Sequence, residues 1–318
     1  MAKLIVAVDL GASKILAGIA SADGRIINRK KISTNKAEGA EYILDRIALC
    51  IKEIIKENSS AGDKISGIAI ATPGPLSYSD SIVWDSPNLK WGRVAVKEEL
   101  EKRLGKTIIV DKDTNMAALG EYYFGRYRKF KHLLYVTVST GIGGAVIVDH
   151  GLYRGKNGGA AEFGHMVIDP SGPYCSCGRK GCLEAMASGT ALARQARVLI
   201  AQGKGQAILD CADGGEITAR EVGAAARSGD YEAQTLILDL REALATGLAN
   251  LVNIFDPEVL VLGGGVAMGL QDLLLEPLFS SVREKVFALN NNGLELGLTS
   301  LGEDVGLYGC MASVMFGN

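Results

Sequence analysis

The amino-acid sequence predicts an α/β protein whose two domains face each other across a cleft. Its 318 residues correspond to about two domains of roughly 150 residues each. The predicted strands and helices of the second half repeat the order of the first half, β-β-β-α-β-α-β-α, which indicates two similar α/β domains. Glycine accounts for 40 residues and clusters after apolar strands, which is typical of turns where backbone approaches a ligand. One large doubly wound sheet is the alternative architecture.

The first half begins with three predicted strands, at residues 3–9, 15–20 and 25–32, and Asp23-Gly24 is a hairpin-turn signal between the last two. Residues 38–56 form an amphipathic helix, because isoleucines recur on one helical face. The remaining elements of this half are a buried strand at 65–71, ended by Pro73-Gly74-Pro75, a helix at 94–104, a strand at 107–110 and a helix at 115–124.

The second half repeats this order. Its predicted elements are strands at 133–138 and 145–148 around a glycine turn at 141–144, a hairpin turn at 150–151, a helix at 231–253, a strand at 259–262, a helix at 271–289, a strand at 294–298 and a helix at 306–316. A long insertion, residues 152–229, separates the hairpin from the next helix. We expect the specialised function of the chain to depend on this insertion.

The charge balance excludes two classes of partner. The chain has 34 Lys and Arg against 36 Asp and Glu, so its formal net charge is −2. Nonspecific binding of nucleic acid or of a membrane surface needs concentrated positive charge, and neither partner is expected. No apolar run approaches the length of a membrane span or signal peptide, so a cytoplasmic location is expected.

Two glycine loops follow strands at equivalent points of the two halves, Asp9–Lys14 and Thr140–Gly144. Backbone N–H groups in such loops bind anions such as phosphate, and Ser13 and Lys14 add a hydroxyl donor and a cation. A carboxylate at Asp9 would repel phosphate unless Mg²⁺ lay between them, so the loop predicts a magnesium–nucleotide complex. Two ordinary hairpin turns are the alternative.

A third glycine cluster, residues 263–265, follows the strand at 259–262. In a nucleotide-binding protein this turn is expected to pass close to an adenosine, and the alternative is a strand-to-helix turn that needs small residues. The predicted nucleotide-binding residues are Asp9, Gly11, Ser13, Lys14, Thr140, Gly141, Gly143, Gly264 and Gly265.

The insertion contains a cysteine–histidine cluster. Cys175, Cys177 and Cys182 lie within eight residues, and His165 precedes them by ten. Three thiolates and one imidazole make a tetrahedral zinc set with no open position, which predicts a structural site. Free surface thiols are the alternative. The other three cysteines, Cys50, Cys211 and Cys310, stand alone and are expected to be ordinary core or surface residues.

The same cluster resembles the signature of the ROK family of sugar kinases. The matching residues are Glu162-x-Gly164-His165 followed by Cys175-x-Cys177-Gly178-x-x-Gly181-Cys182-x-Glu184. Further matches extend the resemblance to essentially the whole chain: Asp9-x-Gly11-x-x-Lys14, Pro73-Gly74-Pro75, Asn88-Leu89-x-Trp91, Asp113-x-Asn115-x-Ala117-Ala118-Leu119-Gly120-Glu121 and Leu262-Gly263-Gly264-Gly265. The resemblance implies a duplicated ribonuclease H-like fold of the hexokinase and actin type, with two lobes around a cleft.

The resemblance further implies transfer of the γ-phosphoryl group of Mg·ATP to a hexose, usually to its 6-hydroxyl. Asp113 matches the catalytic aspartate, which would accept the proton of the attacking hydroxyl. From the residues alone, an N-cap of the following helix is the alternative reading of Asp113. The positions that match the sugar-binding residues of the family are Gly74, Asn88, Asp113, Glu162, His165 and Glu184. His165 would serve twice, with one ring nitrogen on zinc and the other on a sugar hydroxyl.

One departure from the family pattern affects the predicted sugar site. The residue before the catalytic aspartate is usually Asn, and here it is Lys112. A cation at this position either alters the preferred sugar, for example towards an anionic one, or points away and pairs with an acid. The expected domains are a small one, residues 1–111 plus 304–318, and a large one, residues 112–303, that carries the zinc-binding insertion. Closure on the sugar and a homodimer or homotetramer are also expected.

The leading hypothesis is an ATP-dependent glucokinase, and the sequence leaves ADP and polyphosphate open as alternative phosphoryl donors. The nearest alternative is an N-acylhexosamine kinase, acting on N-acetylglucosamine or N-acetylmannosamine. A more remote one is a sugar-binding transcriptional regulator, since the family also contains repressors. Those usually carry an N-terminal helix-turn-helix module, for which the position of Asp9 leaves no room. A sugar-binding remnant without activity is disfavoured because Asp9, Lys14 and Asp113 are all present.

Overall fold

The computed structural model describes residues 3–58, 60, 64–84, 86 and 89–317. Contacts between Cα atoms divide the chain into two compact units. The first unit comprises the chain up to Lys131, Ala145–Ala161 and the chain from Thr299 onward, and the second comprises His132–Gly144 and Glu162–Leu298. The division of the chain at residues 111 and 304 that the sequence suggests stays a prediction.

The strands, in chain order, are β1 (Lys3–Leu10), β2 (Lys14–Ser21), β3 (Ile26–Ser33), β4 (Lys64–Thr72), β5 (Leu76–Ser77), β6 (Ile82–Val83), β7 (Val94–Ala95), β8 (Ile108–Lys112), β9 (Leu133–Val138), β10 (Ile142–Val148), β11 (Gly151–Leu152), β12 (Val259–Gly263) and β13 (Glu295–Leu298). The α-helices are α1 (Gly39–Asn58), α2 (Val96–Leu104), α3 (Asp113–Tyr123), α4 (Leu183–Ala187), α5 (Gly189–Ala201), α6 (Gln206–Ala212), α7 (Ala219–Arg227), α8 (Tyr231–Phe255), α9 (Gly265–Gly269), α10 (Gln271–Lys285), α11 (Ala288–Asn291) and α12 (Val305–Phe316).

The strands form two five-stranded sheets and a small three-stranded one. The first sheet has the order β3-β2-β1-β4-β8, the second has the order β11-β10-β9-β12-β13, and β5-β6-β7 form the third. In the first sheet β1 pairs antiparallel with β2 and parallel with β4, so the sheet is mixed. Read by position, the two large sheets have the same order. The α/β class predicted from the sequence is confirmed, and the alternative of one large doubly wound sheet is wrong.

Helices cover the first sheet on both faces. On one face the predicted isoleucine stripe of α1 is confirmed, since Ile43, Ile47 and Ile51 are fully buried against the strands. On the other face α3 and α12 pack together and against the sheet. Gly309 permits this close approach, because a Cβ atom there would lie 1.6 Å from the carbonyl oxygen of Met116. The start of α3, which carries Asp113, is therefore held by packing as well as by the chain.

Of the predicted boundaries that differ from the structure, three concern the second glycine turn and two helices. The glycine turn at 141–144 is shorter than expected, because β10 begins at Ile142. Gly144 lies within that strand, where a Cβ atom would lie 2.1 Å from the ring of Phe163, so this glycine serves strand packing. The helix predicted at 271–289 ends at Lys285, and a separate short helix follows. The helix predicted from Asn115 begins at Asp113.

Within the described part of the chain, every helix is too short or too polar to cross a lipid bilayer.

Candidate active site

Asp113 lies where β8, an edge strand of the first sheet, passes directly into α3. The strand ends at Lys112, which is the N-cap residue, and Asp113 is the first residue of the helix. The N-cap interpretation of Asp113 is therefore wrong. The Oδ1 atom of Asp113 accepts a hydrogen bond from the backbone N–H of Thr114 at 2.7 Å, and the residue is half-buried. A carboxylate fixed at a strand–helix junction and still partly accessible suits a group that takes up a proton.

Asp111, two residues earlier, is a buried carboxylate with three hydrogen-bond donors and an ion pair. Its Oδ1 atom accepts from the backbone N–H of Lys112 and from Nδ2 of Asn115, both at 2.7 Å. Its Oδ2 atom accepts from Nε of Arg154 at 2.9 Å, and Nη2 of the same guanidinium lies 2.9 Å from that oxygen. No sequence motif marks Asp111 or Arg154 as a functional residue. The only local signal is the carboxylate at the end of a buried strand.

Lys112 is only 4% exposed, and its ammonium group contacts a backbone carbonyl. The Nζ atom donates to the carbonyl oxygen of Ala160 at 2.8 Å. A Cβ atom at Gly74 would lie 3.3 Å from Cδ of Lys112, so this glycine makes room for the lysine side chain. The two alternatives stated for Lys112 were a changed sugar preference and an ion pair with an acid. Neither included this hydrogen bond to a backbone carbonyl.

The first glycine loop joins β1 to β2. The backbone N–H of Gly11 donates to the carbonyl of Lys14 at 2.8 Å, which closes the turn. The carboxylate of Asp9 lies against the first turn of α12, since a Cβ atom at Gly306 would lie 2.7 Å from its Oδ2 atom. Burial raises the pKa of Asp9 to about 6, and the positive charge of Lys14 opposes that shift. The Nζ atom of Lys14 is 3.2 Å from Oε2 of Glu303.

The second glycine loop lies in the second unit and is tied to α4 and α5. The backbone N–H of Gly189 donates to the carbonyl of Ser139, and the hydroxyl of Thr190 donates to that of Thr140, both at 2.8 Å. Glu184 on α4 accepts from the backbone N–H of Ile142 at 2.9 Å. A Cβ atom at Gly141 would lie 2.4 Å from that carboxylate. The structure therefore brings a predicted sugar-binding residue, Glu184, to the predicted phosphate loop.

The third glycine turn lies beside the second loop. Gly264 has a φ of 91°, and a Cβ atom there would lie 2.5 Å from the carbonyl oxygen of Val138. At Gly265 the nearest atom to such a Cβ would be Oγ of Ser139, at 3.8 Å. The turn is a strand-to-helix junction, as the alternative reading required. It also places backbone next to the loop at residues 139–141, as a nucleotide site requires.

The predicted metal ligands form a compact cluster in the second unit. One ligand atom from each of His165, Cys175, Cys177 and Cys182 lies within 4.8 Å of the others. The Sγ atom of Cys175 is 3.5 Å from Nδ1 of His165, and Sγ of Cys177 is 3.6 Å from Sγ of Cys182. Tetrahedral zinc with ordinary Zn–S and Zn–N bonds separates its ligands by about 3.8 Å for sulfur pairs and about 3.5 Å for sulfur and nitrogen. The donors and their spacing fit zinc.

A tight hairpin brings these ligands together. Cys175 donates its backbone N–H to the carbonyl of Arg179 at 2.8 Å, and Gly178 turns with a φ of 86°. Gly181 has a φ of 70°, and a Cβ atom there would lie 1.5 Å from the carbonyl oxygen of Asp169. The backbone N–H and side chain of Arg179 lower the pKa of Cys177, whereas burial raises the pKa of Cys182.

The predicted site residues divide between the two units. The first unit holds Asp9, Gly11, Ser13, Lys14, Gly74 and Asp113, and the second holds Thr140, Gly141, Gly143, Glu162, His165, Glu184, Gly264, Gly265 and the three cysteines. Asn88, a predicted sugar-binding residue, lies outside the described residues. Within the first unit Gly74, Lys112 and Asp113 are neighbours. Within the second, the phosphate loop, the third glycine turn and Glu184 are neighbours.

Comparisons with known proteins bear on these observations. The family model for the ROK family matches residues 5–315. The chain is 34% identical over 312 residues to a glucokinase from Thermotoga maritima, covering 98% of this chain and 96% of that protein. It is 31% identical to a xylose repressor from Caldicellulosiruptor bescii, covering 98% of this chain and 78% of the repressor. A crystal structure of a ROK family glucokinase from Streptomyces griseus, in complex with glucose and AMPPNP, superposes with a TM-score of 0.82 at 32% identity and covers 97% of this chain and 98% of that one.

Proposed function

The chain belongs to the ROK family, and on that premise we propose that it is a sugar phosphotransferase that moves the γ-phosphoryl group of ATP to the 6-hydroxyl of a hexose, with glucose as the preferred acceptor. The glucokinases among its relatives match over nearly their whole length. The repressor relative matches over a smaller share of its own length. Relatives therefore support the phosphotransferase class, and the choice of glucose is the proposal.

The observation that carries the proposal is the position of Asp113. Its carboxylate lies at the end of β8, half-buried, on a junction that Asp111 fixes through two hydrogen bonds. In the proposed reaction Asp113 accepts the proton of the 6-hydroxyl as that oxygen forms its bond to the γ-phosphorus. The bond between the γ-phosphorus and the bridging oxygen breaks, and ADP leaves.

The nucleotide is proposed to bind at the three glycine loops. In the first unit Gly11, Ser13 and Lys14 offer an N–H, a hydroxyl and a cation to the phosphates. In the second unit Thr140, Gly141 and Gly143 form the matching loop, and Gly264 and Gly265 turn beside it. Asp9 would hold Mg²⁺, whose charge offsets that of the β- and γ-phosphates when it is bound. Lys14 must then exchange Glu303 for a phosphate oxygen.

Zinc is the proposed occupant of the cysteine–histidine cluster, with a structural role. Cys175, Cys177, Cys182 and Nδ1 of His165 supply four donors at suitable spacing, and a closed set of four protein ligands leaves no position for substrate. The Nε2 atom of His165 is then the nitrogen left for a sugar hydroxyl. Glu162 and Glu184 are proposed to accept further sugar hydroxyls, as carboxylates can each accept several.

The finer architecture is also a proposal. The identical strand order of the two five-stranded sheets supports a duplicated ribonuclease H-like fold of the actin type. Phosphoryl transfer must exclude water as a competing acceptor, and closure on the bound sugar stays a prediction. A cytoplasmic location is part of the same proposal, because cysteine thiolates that bind metal belong to a reducing compartment. The number of subunits stays a prediction.

The proposal is tested by the variant Asp113→Asn. If Asp113 is the base, kcat with glucose and Mg·ATP should fall by about 10²–10⁴-fold, while the glucose Kd from calorimetry stays within about threefold of the parent. Asp210→Asn, an exposed carboxylate on α6, is the matched control and should leave both quantities unchanged. A folded Asp113→Asn variant that retains more than a tenth of the parental kcat would contradict the proposal.

A further inference from the structure

We propose that Arg154 is a positioning residue for Asp113 and acts through the buried carboxylate of Asp111. The proposal rests on the proposed function, in which Asp113 is the catalytic base. Arg154 lies in residues 153–161, here called the strap, which follows β11 and leads to Glu162. Neither the sequence motifs nor the family resemblance assigned a role to Arg154 or Asp111.

The strap is a closed loop that packs on the small sheet of the first unit. The backbone N–H of Ala160 donates to the carbonyl of Arg154 at 3.2 Å, which joins its two ends. The backbone N–H of Tyr78 donates to the carbonyl of Asn157 at 3.3 Å. Gly158 permits this contact, because a Cβ atom there would lie 2.8 Å from the carbonyl oxygen of Leu76. The backbone therefore fixes the position from which Arg154 reaches the catalytic strand.

The side chain of Arg154 is held on two sides. Its guanidinium lies over the ring of Tyr78, 4.1 Å from the ring centroid, which is a favourable cation–π distance. Its Nε atom donates to Oδ2 of Asp111 at 2.9 Å, and its Nη2 atom forms an ion pair with the same oxygen at 2.9 Å. The side chains of Arg154 and Asp111 are 16% and 3% exposed. At such burial, removal of the cation leaves an uncompensated carboxylate, which is strongly unfavourable.

Asp111 in turn fixes the backbone and side chain on either side of Asp113, the proposed base. Its other oxygen accepts from the backbone N–H of Lys112 and from Nδ2 of Asn115, so it holds the residue before Asp113 and one in the first turn of α3. Without Arg154, the buried Asp111 carboxylate loses its cationic partner and must turn towards another donor or solvent, which weakens both contacts. Asp113 lies between them, and a misplacement of about 1 Å at a reacting group can cost about 10²-fold in rate.

Two contacts allow loosening of the junction at residues 111–115 to be distinguished from displacement of the whole strap. The Nζ atom of Lys112 donates to the carbonyl of Ala160 at the far end of the strap, and the contact of Asn157 with Tyr78 uses backbone only. Neither contact involves the side chain of Arg154, so both should persist when that side chain is replaced. The strap should therefore stay in place in an Arg154 variant, while the junction at residues 111–115 loosens.

The experiment compares Arg154→Met and Arg154→Lys with the control Arg227→Met. Arg227 also donates from Nε and Nη2 to a carboxylate, that of Asp272, but this pair is exposed and lies in the second unit. For each purified variant, kcat and KM for glucose and ATP are measured well below the unfolding temperature. Backbone hydrogen exchange is followed by mass spectrometry in peptides that cover residues 108–118. Arg154→Met should lower kcat about 10–100-fold with KM for ATP within about threefold, and should speed exchange at Lys112 and Thr114. Arg154→Lys should restore part of kcat, and Arg227→Met should match the parent.

A double variant tests the route through Asp111. If Arg154 acts through Asp111, the neutral pair Asp111→Asn with Arg154→Met should lose no more activity than Arg154→Met alone, because effects within one network are not additive. A folded Arg154→Met variant with parental kcat and parental exchange at 108–118 would overturn the proposal, as would losses that multiply in the double variant. If the parent transfers phosphate to no hexose, the proposed function fails, and the exchange at 108–118 still decides whether Arg154 holds the junction.

Discussion

Replacement of Asp9 by Asn should stabilise the protein at neutral pH while it strongly lowers kcat. Burial raises the pKa of the Asp9 carboxyl from its ordinary value of 3.8 to about 6. A carboxyl whose pKa is raised in the folded state contributes its full stability below the unfolded pKa, and that contribution is lost as the pH rises through the folded pKa. At pH 7.5 the ionised Asp9 therefore opposes folding, and an amide of the same shape does not.

The size of the effect follows from the same shift. The two pKa values differ by about two, and each pKa unit corresponds to about 1.4 kcal/mol, so the upper bound is about 3 kcal/mol. Asp9 is only half-buried as a residue, and solvent screening lowers the expected gain to about 1–2 kcal/mol. The gain should be largest above pH 7 and should shrink as the pH falls through 6 towards 4.

Urea denaturation without added magnesium, from pH 4.5 to 8, measures the gain as the difference in unfolding free energy between Asp9→Asn and the parent. Asp272→Asn is a control of opposite sign, because Arg227 lowers the pKa of Asp272 to about 2, so this variant should not gain stability at neutral pH. With Mg·ATP and glucose, Asp9→Asn should lose about 10²-fold or more in kcat. An Asp9→Asn variant that is no more stable than the parent at pH 7.5, or whose gain does not depend on pH, would refute the reasoning.

Three further predictions concern positions outside the proposed phosphate-binding loops. Ala161 has a left-handed φ of 62°, so Ala161→Gly should raise the free energy of unfolding by about 0.5–1 kcal/mol; a loss of stability in urea would contradict this. Glu121 is fully buried and accepts hydrogen bonds from Thr299, from both the N–H and the hydroxyl of Ser300 and from Leu301, so Glu121→Gln should lower the thermal midpoint by the equivalent of about 1–2 kcal/mol; an unchanged midpoint would show that the charge is not needed. Removal of zinc with a chelator should lower the thermal midpoint and weaken glucose binding together, and calorimetry showing unchanged glucose affinity in a metal-free, folded sample would separate the metal from the sugar site.

Much of the fold could be predicted from the sequence, because its signals are local. The isoleucine stripe of α1 and the apolar runs of β1 and β4 have the period of their element, and the structure places each within a few residues of the expected bounds. The metal cluster was also predictable. Three of its candidate ligands lie within the eight residues 175–182. The same segment contains Gly178 and Gly181, whose positive φ angles allow the hairpin to turn.

The parts that could not be predicted depend on residues far apart in the chain. Asp111 and Arg154 are 43 residues apart, and Glu121 is 179 residues from Ser300, so no periodicity or spacing links either pair. Gly144 was interpreted as part of a phosphate turn, whereas it makes room for the ring of Phe163. A glycine needed for packing and a glycine needed for ligand approach have the same sequence signal, and only the neighbouring atoms distinguish them.

The central claim, that this chain phosphorylates a hexose, is tested most directly by a coupled ADP-release assay. The purified, zinc-replete protein is given Mg·ATP and, one at a time, glucose, mannose, xylose, N-acetylglucosamine and N-acetylmannosamine, with Asp113→Asn as the blank for each. We expect turnover with glucose well above that blank, with a product phosphorylated at the 6-hydroxyl. Turnover only with an N-acylhexosamine would contradict the choice of glucose, and ADP release no greater than the blank for every sugar would contradict the claim that the chain is a hexose kinase.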